Sequence, residues 1–197
     1  MRHGRPRDHG RRGARRNGAR LPGLHRPGAG CERAVSERLR FHQTAFVVRD
    51  LDAAVRHWAD DLGIGPWRVW TMQPPHLLDA VYHGTAVPCA FRHALAMSGE
   101  LQFELVQPID GPSIFADQLD ATGEGFNHVG AVVDDHQAAV ADLVERGFAL
   151  LQSGRFGASA DGRFAYLQRP GISMIVELIR PPSERFAPDY IYPAGLS

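Results

Sequence analysis

The chain has 197 residues, 44% of them hydrophobic and 22% charged, which suits one ordinary globular domain or two small modules with a buried core. No window approaches eighteen consecutive apolar residues and the arginine-rich start lacks the apolar run of a secretory signal, so we predict a cytoplasmic protein with no membrane partner. Its two cysteines, Cys31 and Cys89, form no CxxC pair, which argues against a disulfide framework or a cysteine-built zinc site.

The net charge of zero conceals an asymmetry along the chain. Residues 1–40 carry twelve arginines against three acids, a local charge of +9, and the rest of the chain carries −9. Residues 1–38 show no apolar periodicity, so we predict a disordered Arg/Gly-rich tail. Such a tail is either an arm for nucleic acids or acidic surfaces, or an upstream extension of a reading frame whose translation starts near Val35. We favour the extension and expect no nucleic-acid partner, because no nucleic-acid module is recognisable.

An internal repeat organises the rest of the chain. The segment QTAFVVRDLDAAV at 43–55 aligns without a gap with HVGAVVDDHQAAV at 128–140. In each copy an apolar run predicts a buried strand, and an aspartate, Asp50 or Asp135, follows as a helix cap. Each predicted helix then ends near a glycine. Both halves therefore open with a strand and a helix.

The two halves also close alike, with ELVQP at 104–108 and ELIRP at 177–181. We expect each proline to end strand pairing. Further strands separated by Gly or Pro turns lie between helix and last strand in both halves. The first half is longer by twelve residues, which we place around Pro74 and Pro75, with an additional short strand near 80–82.

This pattern predicts an α+β fold made of paired βαβββ modules that form a curved mixed sheet cup with helices outside. The first module spans 39–110 and the second spans 126–182. A linker at 111–125 contains a short helix, and 183–197 form a C-terminal tail.

Aligned copies superimpose Gln43 on His128 and Glu104 on Glu177, four polar side chains within otherwise apolar strands. Small residues on the same strand faces leave room beside them. Burying two carboxylates on facing strands is costly unless a cation or a proton lies between them. A divalent metal ion held by these four side chains would offset the cost of burying the carboxylates and would explain why polar residues occur at equivalent positions of both halves.

His42 is the alternative to Gln43 as the first ligand. Strand alternation points it to the opposite face, and its counterpart in the second repeat is Asn127. A strand shift of one residue would exchange the two faces, so the choice depends on register.

Four segments between residues 41 and 182 carry a family resemblance: QTAFVVRDLDAAVRHWADDLGIGP, ELQFELVQP, GEGFNHVGAVVDD and ISMIVELIRPP. They resemble the vicinal oxygen chelate superfamily, which includes glyoxalase I, methylmalonyl-CoA epimerase, extradiol dioxygenases and bleomycin-resistance proteins. The resemblance implies a glyoxalase-like cup whose metal is held by one residue from each first strand and one from each last strand. These would be Gln43, Glu104, His128 and Glu177. The resemblance also implies a small-molecule substrate and a homodimer.

Three departures from glyoxalase I bear on the substrate. The positions that carry its glutathione-binding Arg, Asn and Arg are occupied by Val47, Pro108 and Glu124. We therefore do not expect lactoylglutathione binding. The predicted ligand set holds one histidine where extradiol dioxygenases need two, which argues against ring cleavage.

Three oxygen donors and one imidazole suit a six-coordinate Zn, Ni, Co, Mn or Mg ion with two positions free for adjacent substrate oxygens. Chelation there would acidify the carbon next to a carbonyl and stabilise an enolate or enediolate. We predict a glyoxalase-like, metal-dependent isomerase, epimerase or lyase, with Glu177 as base and Glu104 as the alternative. The alternative function is a binding or resistance protein that sequesters an apolar ligand in the same cup.

Aromatic residues predict an apolar substrate pocket, although most should pack in the core. The spacing of His76, His83 and His93 selects none of them as a further acid or base. Residues 155–157 are a candidate lid. The aromatic residues are Trp58, Trp67, Trp70, Phe91, Phe103, Phe115, Phe126, Phe156 and Phe164.

Overall fold

The structure is a computed structural model that describes residues 38–195. The predicted disordered tail at 1–38 lies outside the described residues except for Arg38, and Cys31 falls there with it. Cys89 is a buried free thiol whose pKa burial raises to about 11.

Eleven strands and three helices make up the described chain. The strands are β1 (Phe41–Val47), β2 (Trp67–Met72), β3 (Leu77–Tyr82), β4 (Thr85–Ala86), β5 (Ala90–Ser98), β6 (Leu101–Asp110), β7 (Gly125–Val132), β8 (Ala149–Phe156), β9 (Gly162–Gln168), β10 (Ile175–Arg180) and β11 (Tyr190–Tyr192). The helices are α1 (Leu51–Leu62), α2 (Ile114–Ala121) and α3 (His136–Glu145).

All eleven strands form one mixed sheet in the order β11-β2-β5-β6-β1-β7-β10-β9-β8-β3-β4. At its centre the two repeated first strands, β1 and β7, pair antiparallel. Each of them pairs on its other side with the last strand of its own module in parallel, β1 with β6 and β7 with β10. The predicted α+β cup is confirmed, and its four central strands are the ones that carry the aligned polar residues.

The helices begin where the sequence predicts. Asp50 accepts a hydrogen bond from Ala53 N at 2.9 Å, and Asp135 accepts one from Ala138 N at 3.0 Å. Gly63 ends α1 in the left-handed conformation at φ 69°. The linker forms α2, with Ser113 as its cap.

Two segments cross from one module to the other. The extra residues of the first module form β3 and β4, and β3 pairs with β8 of the second module. In return, the segment after β10 supplies β11, which pairs with β2 of the first module. Each outer edge is thereby covered by a strand from the other half, and the segment predicted as a tail at 183–197 contributes a strand to the sheet.

The expectation that Pro108 ends strand pairing is wrong. β6 continues to Asp110, and Pro108 lies opposite Phe91 on β5. A register shift between Ala90 and Phe91 leaves one extra residue on β6 there, and such a bulge tolerates a residue without an N–H. The strand β10 does end before Pro181, as predicted.

Three buried clusters stabilise this arrangement. One lies inside the cup and includes Phe91, Phe115 and Tyr166. The other two lie on the outer side, one beneath α1 with Trp67 and one beneath α3 with Leu178. Among the described residues, no helix combines the length and the apolar character that crossing a membrane requires.

Candidate metal centre

Strand register brings the four aligned side chains together within one chain. Ala45 on β1 lies beside both His128 on β7 and Glu104 on β6. Gly130 on β7 lies beside both Gln43 on β1 and Glu177 on β10. Each pair of polar residues therefore flanks a small residue, which leaves the space in which the side chains converge.

The tips of the four side chains lie within contact distance of their neighbours. His128 Nε2 is 3.3 Å from Glu104 Oε2 and 3.2 Å from Glu177 Oε2. Gln43 Nε2 donates a hydrogen bond to Glu104 Oε2 at 3.1 Å. One ligand atom from each of Glu104, His128 and Glu177 falls within a group no more than 4.8 Å across. One small cation could contact all three.

All four side chains are buried, and three of their polar atoms lack a hydrogen-bond partner: Gln43 Oε1, His128 Nε2 and Glu177 Oε2. His128 Nε2 lies close to both carboxylates but makes no hydrogen bond to either. Buried polar atoms without partners are rare, and a cluster of them indicates an unmet ligand. Two carboxylates, an imidazole and an amide are a donor set that fits a divalent metal ion.

Charges within the cluster set its protonation when no cation is bound. Burial alone would lower the pKa of His128, but attraction to Glu177 and Glu104 outweighs burial and raises that pKa to about 9. Burial would raise the pKa of Glu104, but its contacts with His128 and His93 outweigh burial and lower that pKa to about 2. At neutral pH a protonated His128 therefore takes the place of a cation between the carboxylates.

A chain of amides orients His128. Its Nδ1 lies 2.7 Å from Asn127 Oδ1, and Asn127 Nδ2 donates to Gln118 Oε1 at 2.8 Å. Gln118 Nε2 in turn donates to the carbonyl of Gly125 at 3.2 Å. These contacts fix Asn127 Oδ1 as an acceptor, so the imidazole carries a proton on Nδ1. The Nε2 lone pair of the neutral ring is then available at the cluster.

Two residues of the site were not selected from the sequence. His93 Nδ1 lies 2.7 Å from Glu104 Oε1. Tyr166 pairs with Glu177 across β9 and β10, and burial together with the Glu177 charge raises the pKa of its hydroxyl well above the ordinary value. Strand alternation could have indicated His93, because it places this residue on the same face of β5 as the apolar residues Phe91 and Leu95.

The expected separation of His42 from Gln43 is wrong, because both residues line the same cavity. Phe41 pairs with Ala131 and Gln43 pairs with Gly130, so β1 contains one extra residue, a β-bulge, at this point. Such a bulge breaks strict alternation. Gln43 is the residue that contacts Glu104, whereas His42 is half-buried at the cavity wall.

A cavity of about 290 Å³ opens onto the cluster. Of the nine aromatic residues considered, Trp70 and Phe156 line it, whereas Trp67, Phe91, Phe115 and Phe164 are buried in the core. In the candidate lid, Phe156 and Gly157 line the cavity, but Arg155 Nε lies 3.3 Å from Asp79 Oδ2 instead.

Residues 42–166, more than half of the chain, match the sequence profile of the glyoxalase/bleomycin resistance protein/dioxygenase superfamily. The chain belongs to this superfamily. A search of curated protein sequences found no match.

Solved structures share the fold of this chain. A methylmalonyl-CoA epimerase from Mycobacterium tuberculosis is 24% identical, with a TM-score of 0.50, over 72% of this chain and 87% of the epimerase. A hypothetical protein from Bacillus halodurans C-125 is 15% identical, with a TM-score of 0.54, over 76% of this chain and 99% of that protein. At these identities the likeness shows the fold.

The positions at which this superfamily member departs from glyoxalase I have structural roles here. Val47 is fully buried in the core inside the cup. Glu124 accepts a hydrogen bond from the backbone N–H of Arg49 at 2.6 Å. Pro108 lies within β6 opposite Phe91.

We predict that Gly130→Ala disturbs the metal centre through Gln43. A Cβ at position 130 would lie 2.2 Å from Gln43 Oε1 and 3.1 Å from Gln43 Cβ. The free energy of unfolding should fall by about 1–3 kcal/mol, as in other overpacked cores. Denaturant unfolding measures this loss, and the double variant Gly130→Ala/Gln43→Ala should recover part of it. A double variant with additive losses would show that the strain does not act through Gln43.

Proposed function

We propose that the protein is a metal-dependent isomerase, epimerase or lyase that moves a proton at a carbon next to a carbonyl. The buried cluster of unpartnered donor atoms carries this proposal. Glu104, His128 and Glu177 would hold the ion, with the Gln43 amide as a fourth donor. A divalent cation bound there would polarise a substrate carbonyl and acidify the adjacent carbon. Superfamily membership and a fold shared with a methylmalonyl-CoA epimerase support this class of chemistry.

The Gln43 amide presents its nitrogen to Glu104 and would have to turn over to donate its oxygen to a cation. A carboxylate oxygen binds an amide N–H, so Nε2 faces Glu104 and Oε1 faces Gly130. The same side chain turned over would present its oxygen to the cluster, because the two ends of an amide have nearly the same shape.

The two carboxylates have unequal surroundings, which favours Glu177 as the base. Glu104 is engaged at both oxygens, by His93 at Oε1 and by Gln43 at Oε2. Both carboxylates line the cavity, but Glu177 Oε2 has no hydrogen-bond partner. A carboxylate that is not engaged at both oxygens is the better acceptor for a proton from an adjacent substrate carbon. The repeat makes the residues equivalent in sequence, and their neighbours distinguish them.

The cavity walls suit this proton transfer. Trp70, Met72, Leu95 and Ile179 present apolar surface above the cluster. Such walls exclude bulk water from the bound substrate and strengthen its electrostatic interactions with the cluster. The buried Tyr166 hydroxyl stays protonated, so it can hold Glu177 in place by donating to it.

Solvent deuterium exchange tests the proposal. Metal-loaded full-length protein is incubated in D₂O with a panel of α-hydroxycarbonyl compounds and acyl-CoA thioesters, and deuterium at the α-carbon is measured by mass spectrometry. At least one compound should exchange, and exchange should stop after chelation of the metal. Protein that takes up no metal, yet binds apolar compounds, would support the sequestering alternative instead. The homodimer and the cytoplasmic location stay predictions.

A further inference from the structure

We infer that the substrate carries a carboxylate, which Arg185 binds at the wall of the cavity. This inference rests on the proposed function, because it concerns the substrate of the same site. Arg185 belongs to residues 181–189, which connect β10 of the second module to β11 of the first. We call this stretch the crossing segment.

The crossing segment is fixed at both of its ends. Near its start, Ser183 N donates to Asp161 Oδ1 at 3.1 Å, and Ala158 N donates to the carbonyl of Glu184 at 3.1 Å. At its end, Asp189 N donates to the carbonyl of Val69 at 2.8 Å. These contacts tie the segment to both halves of the cup.

Its centre is held directly over the cavity. The ring of Phe186 stacks on His76 with centroids 4.0 Å apart, and the carbonyl of Phe186 accepts a hydrogen bond from Trp70 Nε1 at 3.1 Å. Trp70, Phe186 and the neighbouring Arg185 all line the cavity. The backbone next to Arg185 is thus attached to the cavity wall through Trp70.

Arg185 is available to a ligand. Within residues 38–195, the arginine–carboxylate ion pairs involve Arg92, Arg146 and Arg155, and Arg185 takes part in none of them. It is also the single arginine among the described residues that line the cavity. Its guanidinium presents planar paired N–H groups that match a carboxylate.

The rest of the cavity defines the remainder of the substrate. Its volume of about 290 Å³ lies near the lower end of ligand pockets, which favours a small compound. Two carboxylates at the floor would be neutralised by a divalent cation, so a further negative charge on the substrate needs the positive charge of Arg185. Apolar walls between floor and Arg185 suit a short hydrocarbon body. The substrate class is a small carbonyl compound with an apolar body and a carboxylate remote from the reacting carbon.

The probes are alkyl hydroxamates of increasing chain length, each ending in a carboxylate or in its methyl ester. Their hydroxamate head binds zinc, so the other end is left to report on Arg185. Binding to zinc-loaded full-length protein is measured by calorimetry for the native chain, Arg185→Gln and Arg185→Lys. Arg169→Gln is the matched control, an exposed arginine outside the cavity lining.

For at least one length, the carboxylate should bind native protein and Arg169→Gln about ten-fold more tightly than its ester. This ratio should fall to about one in Arg185→Gln, and Arg185→Lys should keep part of it. Two results would overturn this inference while leaving the proposed function intact, provided that the esters bind all variants alike. In the first, the carboxylate binds native protein no more tightly than its ester; in the second, its tighter binding persists in Arg185→Gln. Esters that fail to bind zinc-loaded native protein would contradict the proposed function and the inference with it.

Discussion

Glu177→Gln is expected to lower metal-dependent deuterium exchange by about 10²–10⁴-fold, the usual contribution of a positioned general base. The substituted amide keeps the shape of the side chain and one oxygen donor, but it cannot accept a proton at neutral pH. The variant should therefore still bind one metal ion. A loss of exchange with metal retained separates proton transfer from metal binding.

Two further variants complete this experiment. Glu184→Gln changes an exposed carboxylate on the crossing segment and should leave the exchange rate unchanged. Tyr166→Phe removes the hydroxyl beside Glu177 and should give a smaller loss than Glu177→Gln, because the base itself is still present. Full exchange by metal-loaded Glu177→Gln would show that Glu177 is not the base, and the role would pass to Glu104.

His128→Ala is expected to lower metal affinity by more than about 100-fold. Loss of a residue that only orients a metal ligand costs about 10–100-fold, and His128 is itself a proposed ligand. Its Nε2 is the only nitrogen donor of the proposed set and lies between both carboxylates. Removing it also leaves two buried carboxylates without their shared cation. We expect metal-free His128→Ala to lose about 3–5 kcal/mol of stability, as when one partner of a buried ion pair is removed.

His57→Ala is the matched control, since His57 is an exposed histidine on α1 whose side chain is 76% exposed. It should bind metal like the native protein. Glu104→Ala and Asn127→Ala extend the series: Glu104→Ala removes a donor, whereas Asn127→Ala removes only the group that orients His128. Elemental analysis and competition with a chromogenic chelator measure the affinities. Equal affinity of His128→Ala and His57→Ala would exclude His128 as a ligand.

The internal repeat explains why so much of the central fold could be predicted. Duplicated strand, cap and helix patterns place Asp50 and Asp135 at the starts of α1 and α3, and these are local features that a short window of sequence contains. The alignment also superimposes Gln43 on His128 and Glu104 on Glu177. Because duplicated modules pair through equivalent strands, positions that align in sequence also meet at the centre of the sheet.

The features that sequence reasoning missed depend on pairing between distant segments. The pairing of β3 with β8 and of β11 with β2 joins residues of different modules, and no local pattern encodes the partner of an edge strand. The bulge at His42 depends on the neighbouring strand as well. No repeated motif marks His93, which pairs with Val106 and reaches Glu104 diagonally across β5 and β6.

Anomalous diffraction from zinc-soaked crystals of the full-length protein tests the central claim most directly, because it locates the ion without reference to activity. Data collected on either side of the zinc absorption edge should give one strong peak per chain, bounded by the side chains of Gln43, Glu104, His128 and Glu177 of that same chain. A map with no peak at this position, or with zinc bound only elsewhere on the surface, would contradict the account.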